Sequence, residues 1–298
     1  MLKLDKSFVK LPNGETLAYV ELGHGPHRVL LIHGNMSSSL HYLPLIERLP
    51  LDQFHIIAVD LRGFGDSSYV SSFNSLAELT EDVAHFLTIK DFHPCTIAGW
   101  SAGGGVALQL AANFPHFVEK LFLIDSMSYK GIPIFVKDAT FKPIVGKVYP
   151  TKEEMATDNV QVAPVVKALK DGNVGFMEYI WNLVIYTGKK PDPEANKLYL
   201  AETMKQRNLV DFDWALVNFN MGTGSNFQAD GDNSISKIKC PVLSVWGKKD
   251  ITVLEYMVRE TIAALGDKAQ LIIYEEAGHS PLVDVPDQLA KDFIKFVL

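Results

Sequence analysis

The feature that most restricts how this chain can fold is the stretch from Cys95 to Asn113. An apolar run (Thr96, Ile97, Ala98) leads into Gly99-Trp100-Ser101-Ala102-Gly103, and small residues lead out of it: Gly104, Gly105, Val106, Ala107, Leu108, then Leu110, Ala111 and Ala112. This reads as a buried strand, a sharp turn and a helix. Glycines flank the serine because a Cβ there collides with neighbouring backbone in so tight a turn. The turn lifts the Ser101 hydroxyl above the end of a parallel sheet and points the free N–H groups of the helix N-terminus at the same place. No Asp, Glu, Lys or Arg occurs between Asp91 and Glu119, a pattern that first suggests a membrane span. Trp, Ser, Gln, Asn and Pro interrupt it, and three consecutive glycines are poor helix formers, so no span is expected.

The rest of the chain has the composition to build a large core. Its 298 residues are 47% apolar and 21% charged, long for one average domain and short for two independent ones. The formal net charge of −7 comes without any Lys/Arg cluster, which argues against nucleic acid and anionic membrane surfaces as partners. Cys95 and Cys240 each open an apolar run; they are too few for a disulfide framework and unclustered for a zinc site. Both read as buried free thiols suited to a reducing compartment. Met1-Leu2-Lys3-Leu4-Asp5-Lys6 lacks the apolar core of a signal peptide. A cytoplasmic protein without metal or cofactor is the expectation.

Taken in order, Ser7–Lys10 and Leu17–Glu21 read as short strands joined by Pro12-Asn13-Gly14. Val29–Ile32, His55–Val59, the run into the elbow, Leu121–Asp125, Val242–Trp246 and Gln270–Tyr274 read as strands, most of them buried on both faces. Helical spacing separates them over Ser75–Ile89, Glu255–Leu265 and Asp287–Val297, with Ser75 placed to cap. Alternation of strand and helix with short connections predicts an α/β, doubly wound, mostly parallel sheet. The rhythm breaks between about Ser126 and Lys239. There Val162–Leu169, Phe176–Tyr186 and Leu198–Gln206 have helical spacing, and no buried strand is evident. The reading is a core of residues 1–126 and 239–298 with a helical cap, 127–238, inserted into it.

A serine hydroxyl needs a base to take its proton as it attacks, and histidine titrates in the right range. In open α/β sheets the site lies beyond the carboxyl ends of the strands. Of nine histidines only His116 and His279 follow Ser101, as the order Ser, acid, His requires. His116 follows Pro115 at the far end of the elbow helix, whereas His279 lies in Gly278-His279-Ser280-Pro281 after the last strand. Asp250 ends Gly247-Lys248-Lys249-Asp250 directly after a buried strand and suits the acid, although Asp could equally brace a helix start there. Asp125 also ends a strand and is the rival acid. The two oxyanion donors expected are the backbone N–H groups of Ala102 and, in the His33-Gly34-Asn35 loop, Asn35. His33 reads as a loop-bracing residue.

These residues jointly resemble the α/β-hydrolase superfamily over nearly the whole chain. His33-Gly34, Asp60-x-Arg62-Gly63-x-Gly65-x-Ser67, Gly99-x-Ser101-x-Gly103, Gly247-x-x-Asp250 and Gly278-His279-x-Pro281 appear in family order. The resemblance implies an eight-stranded sheet, a lid between the sixth and seventh strands, and structural roles for Asp60 and Arg62. A serine at the nucleophile position points away from dehalogenases and epoxide hydrolases. Carboxylic ester hydrolysis leads, with lactone hydrolysis beside it, and the chain looks similar to intracellular bacterial hydrolases acting on hydroxyalkanoate esters. A haloperoxidase-like side activity, or a ligand receptor on the same scaffold, are the other readings. A small-molecule ester or lactone is the expected partner; acyl length and oligomeric state are left open. The apolar band of Phe176, Met177, Tyr179, Ile180, Trp181, Leu183, Val184 and Tyr186 is expected mostly to be cap core, with a few members lining an acyl pocket. The stretch Asn218–Phe227 reads as either a hinge or an ordinary loop.

Overall fold

A hairpin opens the sheet: β1 (Ser7–Lys10) and β2 (Thr16–Leu22), turned at Gly14 with a positive φ of 91°. The computed structural model describes residues 4–298. Met1, Leu2 and Lys3, part of the amino-terminal segment read above, lie outside the described residues. β3 (His27–Ile32), β4 (Phe54–Val59), β5 (Cys95–Trp100) and β6 (Val118–Ile124) follow, with α1 (Leu43–Ile46), α2 (Leu76–Lys90) and α3 (Ala102–Asn113) between them.

Between Ile124 and Val242 the chain leaves the sheet. This insert contains a small hairpin, β7 (Phe135–Lys137) with β8 (Pro143–Val148), and five helices: α4 (Lys152–Met155), α5 (Ala163–Asp171), α6 (Val174–Ile180), α7 (Pro193–Thr203) and α8 (Leu209–Asn218). β9 (Val242–Gly247), α9 (Glu255–Leu265), β10 (Ala269–Tyr274), α10 (Pro281–Asp284) and α11 (Pro286–Val297) complete the fold.

The strand order is β1-β2-β4-β3-β5-β6-β9-β10, antiparallel only where β2 meets β1 and β4. This is the eight-stranded, doubly wound sheet expected. Its continuous apolar strands follow from cover on both faces. Leu30, Ile32, Ile57, Val59, Ile97, Leu121 and Leu123 pack on one side with residues of α2 and α3. Val29, Leu31, Ile56, Ala58, Phe122, Ile124 and Val245 pack on the other with α1, α11 and part of the insert. Full burial of each such side chain contributes about 2 kcal/mol before conformational entropy is subtracted. The chain runs from β3 outward to β4 and then returns to the opposite side of β3 with β5. Loops leaving the carboxyl ends of β3 and β5 therefore diverge and open a crevice.

Three details of the insert differ from the sequence reading. In the β7–β8 hairpin β8 is mostly exposed and β7 half-buried, so it carries no buried-strand signature. Helix α8 was not anticipated. The helix expected over Phe176–Tyr186 is α6 followed by a π-turn, Trp181–Ile185. The segment Asn218–Phe227 is held along its length: Asn220 Nδ2 donates to the carbonyls of Gly224 and Ala229, and Asn226 Nδ2 to those of Lys130, Val217 and Phe219. That favours an ordinary loop. No helix among the described residues is long and apolar enough to cross a membrane.

Candidate active site

Ser101 stands between β5 and α3 with φ 53° and ψ −123°, a strained conformation for a residue with a Cβ. Its backbone is pinned on both sides: its N–H donates to the Ile124 carbonyl at 2.9 Å, and its own carbonyl accepts from Gly104 and Met127. A Cβ on Gly103 would lie 2.2 Å from the Ile32 carbonyl oxygen and 2.4 Å from that of His33, and one on Gly99 would lie 2.6 Å from the Gly103 carbonyl oxygen. Both motif glycines are therefore required by close backbone approach.

The loop after β10 brings His279 to this serine, with Nε2 2.8 Å from Ser101 Oγ. Nδ1 lies 2.7 Å from Asp250 Oδ2. An ionised carboxylate only accepts, so Nδ1 carries the proton and Nε2 is free to accept from the serine hydroxyl. Asp250 performs both tasks the sequence left open. Oδ1 accepts from the backbone N–H groups of Thr252 and Val253 at 2.7 and 3.0 Å, bracing its own turn, while Oδ2 holds the histidine. Burial pushes this carboxyl up, but the His279 ring, its hydrogen bond and the Val253 N–H outweigh that and hold it below the usual range.

Asp125, the rival acid, sits beside the pair. It ends β6 with a φ of 40° and is fully buried. Its Oδ1 accepts from the Gly247 N–H at 2.8 Å, while Oδ2 has no hydrogen-bond donor aimed at it. Ligand atoms of Asp125, Asp250 and His279 lie within 4.8 Å of one another. Two buried carboxyls this close do not both ionise. Burial and the Asp250 charge push Asp125 well above the usual range, so the proton resides on Asp125 and its otherwise orphaned oxygen is a donor facing Asp250. His116 lies at the opposite end of α3, packed on Phe117.

Among the described residues the backbone N–H groups of Asn35 and Ala102 donate to no protein acceptor. Both residues line the same cavity as Ser101 and His279. His33 braces: Nδ1–H meets the Gly34 carbonyl at 2.7 Å and Nε2 accepts from the Leu61 N–H at 3.0 Å, tying the loop after β3 to the loop after β4. Asp60 accepts from the Ser39 N–H and from Lys6, and Arg62 makes a two-point pair with Asp82. These two serve the frame.

The cavity measures about 480 Å³ and is chiefly apolar, with Met36, Trp100, Ile132, Ile134, Val165 and Trp181 among its walls. Of the apolar band, Ile180, Trp181, Leu183 and Val184 line it, as does the neighbouring Ile185, whereas Met177 and Tyr186 are buried in packing. Leu183 and Ile251, 49% and 56% exposed, mark its mouth.

Sequence reasoning missed the residues that join the insert to the site. Asn35 Nδ2 donates to Asp213 Oδ1, Gln206 Nε2 donates to Asn35 Oδ1, and Thr203 Oγ1 donates to the Met36 carbonyl. Trp100 Nε1 donates to the His279 carbonyl at 2.8 Å, fixing the base loop from the elbow itself. Asp213 alone left a trace in the sequence, an acid in the otherwise apolar spacing Leu209, Asp213, Leu216.

A family model described as alpha/beta hydrolase fold matches residues 27–286. The chain belongs to the α/β-hydrolase fold family. This hydrolase is 25% identical to Lipase 1 of Psychrobacter immobilis over 98% of its length and 84% of the lipase. Among solved structures, an esterase from Exiguobacterium antarcticum superposes with a TM-score of 0.76 at 19% identity, covering 98% of both chains. The enol-lactonase of Burkholderia xenovorans LB400 gives 0.73 at 16% identity over 98% of this hydrolase and 99% of the lactonase. At such identities the two structural likenesses speak for the fold.

Proposed function

We propose that this α/β hydrolase cleaves carboxylic esters through an acyl-enzyme, with Ser101 as nucleophile, His279 as general base and then acid, and Asp250 as the orienting carboxylate. The observation that carries the reading is the unbroken relay from Asp250 Oδ2 through His279 to Ser101 Oγ, opening into an apolar cavity. Ser101 Oγ attacks the acyl carbonyl as its proton passes to His279 Nε2, and the N–H groups of Asn35 and Ala102 hold the oxyanion. Each such donor contributes on the order of 3 kcal/mol to the transition state. His279 returns its proton to the leaving alcohol, then takes one from water as the water attacks the acyl-enzyme, and Ser101 is regenerated with release of the acid. Residues 127–238 act as the cap that walls the acyl site. The free Cys95 and Cys240 support a reducing, cytoplasmic setting.

A lactone presents the same carbonyl with its leaving alcohol tethered, so it belongs in the same assay. Wild type should turn over p-nitrophenyl butyrate repeatedly, and a fluorophosphonate probe should label Ser101. Ser101→Ala should lose both while unfolding as wild type does. Retained turnover in that variant sinks the assignment. One slow acylation without turnover favours a receptor instead.

A further inference from the structure

Asp284 is an acid in an unfavourable place. It is the last residue of α10, where a carboxylate faces the carbonyl end of its own helix. Both of its oxygens instead take backbone N–H groups from elsewhere: Oδ2 accepts from Gly278 at 2.7 Å, and Oδ1 accepts from Lys189 in the insert. Burial pushes the carboxyl up to about 6, against the pull of those two N–H groups and of the Lys249 and Lys189 charges. At pH 8 it is ionised, and both oxygens accept. The two amides belong to different parts of the site. The Ala277–Gly278 peptide unit directly precedes His279. Its carbonyl accepts from the Lys249 N–H at 2.8 Å, its N–H goes to Asp284, and the His279 carbonyl accepts from Trp100 Nε1 at 2.8 Å. The imidazole therefore hangs from backbone that is fixed on both sides. Lys189 follows the π-turn Trp181–Ile185, of which Trp181, Leu183, Val184 and Ile185 line the cavity. Thr252 Oγ1 donates to the Val184 carbonyl at 2.9 Å and Thr187 Oγ1 to the Lys249 carbonyl at 2.7 Å, so this wall is also laced to the turn that carries Asp250. The approach is close: a Cβ on Gly188 would lie 2.6 Å from Asp284 Cγ, and one on Gly278 would run into Thr187 Oγ1.

We propose that Asp284 is a positioning residue for general-base catalysis: it clamps the backbone before His279 to the cavity wall and so holds the imidazole at hydrogen-bond distance from Ser101. The inference rests on Ser101 and His279 acting as nucleophile and base. Asp284 does not line the cavity, so it acts through the two amides that it joins. Without the clamp the apolar wall still meets the substrate, but the base is no longer fixed against the serine. The loss therefore falls on kcat rather than KM. A misplacement of about 1 Å between reacting groups costs up to about a hundredfold in rate.

The test is steady-state kinetics on p-nitrophenyl butyrate at pH 8, with active sites counted by fluorophosphonate labelling of Ser101 to completion. Asp284→Ala should lose about tenfold to a hundredfold in kcat per site, with KM within about threefold of wild type. Asp284→Asn offers one acceptor and turns a donor on the second N–H, so its kcat should fall between the two. Formate, a free carboxylate small enough for the gap left by alanine, should restore part of the lost kcat in Asp284→Ala, and sodium chloride at equal concentration should not. A merely structural role changes how much enzyme folds, which counting sites cancels. The proposal is overturned by a kcat per site less than about tenfold below wild type in Asp284→Ala, by a loss confined to KM, or by a loss that formate leaves unchanged. Should the alanine variant be insoluble, Asp284→Asn decides: a kcat per site equal to wild type overturns the proposal, and a fall with KM held supports it. Wild-type turnover that Asp284→Ala retains in full overturns this inference alone. No turnover in wild type, with Ser101 unlabelled, overturns the ester-hydrolase reading as well.

Discussion

Asp125 and Asp250 end neighbouring strands, β6 and β9 with its turn, and converge on one imidazole while sharing a single negative charge. Asp250 carries the charge and touches His279; Asp125 is held neutral by burial and by that charge. Asp125 is thus a positioning residue, since it acts through Asp250 and the Gly247 N–H. Asparagine mimics a neutral carboxyl. Asp125→Asn should therefore stay within about tenfold of wild-type kcat, whereas Asp250→Asn should lose about 10³–10⁴ through the wrong histidine tautomer. Steady-state kinetics on a short ester checks the pair, and the reverse ranking would make Asp125 the acid.

In the proposed mechanism the Asn35 backbone N–H donates to the oxyanion, while its side chain ties that loop to Asp213, Gln206 and the Met36 N–H. Asn35→Ala keeps the backbone donor and loosens the loop. A fall in kcat of about tenfold is expected, well short of the 10²–10³ that follows outright loss of a donor. A fall beyond that range would place the side-chain amide on the substrate.

Gly103 and Gly175 should respond in opposite directions to the same change. In Gly103→Ala the new Cβ meets the Ile32 and His33 carbonyls, which are backbone and cannot swing aside. Destabilisation on the order of 3 kcal/mol is expected. Gly175 in α6 has only Asn173 Oδ1 nearby, at 3.8 Å, so Gly175→Ala should stabilise by roughly 0.5–1 kcal/mol. Urea unfolding of both variants decides.

Asp213 links stability to pH. Its carboxyl titrates at about 7 in the folded chain against an ordinary 3.8. Between those values the folded state keeps a proton that the unfolded state has lost, so stability falls as pH rises from about 4 through about 7. The full swing from this group is on the order of 4 kcal/mol. Asp213→Asn never ionises, so its urea midpoint should rise relative to wild type between pH 5 and pH 8. A difference independent of pH would mean that the carboxyl is not raised.

What the linear order of residues determined by itself is the sheet and its chemistry-bearing turns. Apolar runs such as Val29–Ile32 must be covered on both faces. The tight glycine-flanked turn at Ser101 and the placement of His279 after the last strand are local facts of the chain, and they sufficed to pick out the residues that meet in space. Asp250 against Asp125 stayed open in the sequence because both end strands. Only the distances to His279, and the rule that two adjacent buried carboxyls share one charge, separate them.

The tertiary structure alone decided how the insert between Ile124 and Val242 is built. The β7–β8 hairpin has no fully buried residue to imprint a pattern, and α8 reads ambiguously because Asp211 and Asp213 interrupt its apolar face. The ties from Asp213, Gln206 and Thr203 to the Asn35–Met36 loop span more than 160 positions of chain. No local periodicity encodes contacts of that separation. They arise when the insert folds back over the crevice between β3 and β5.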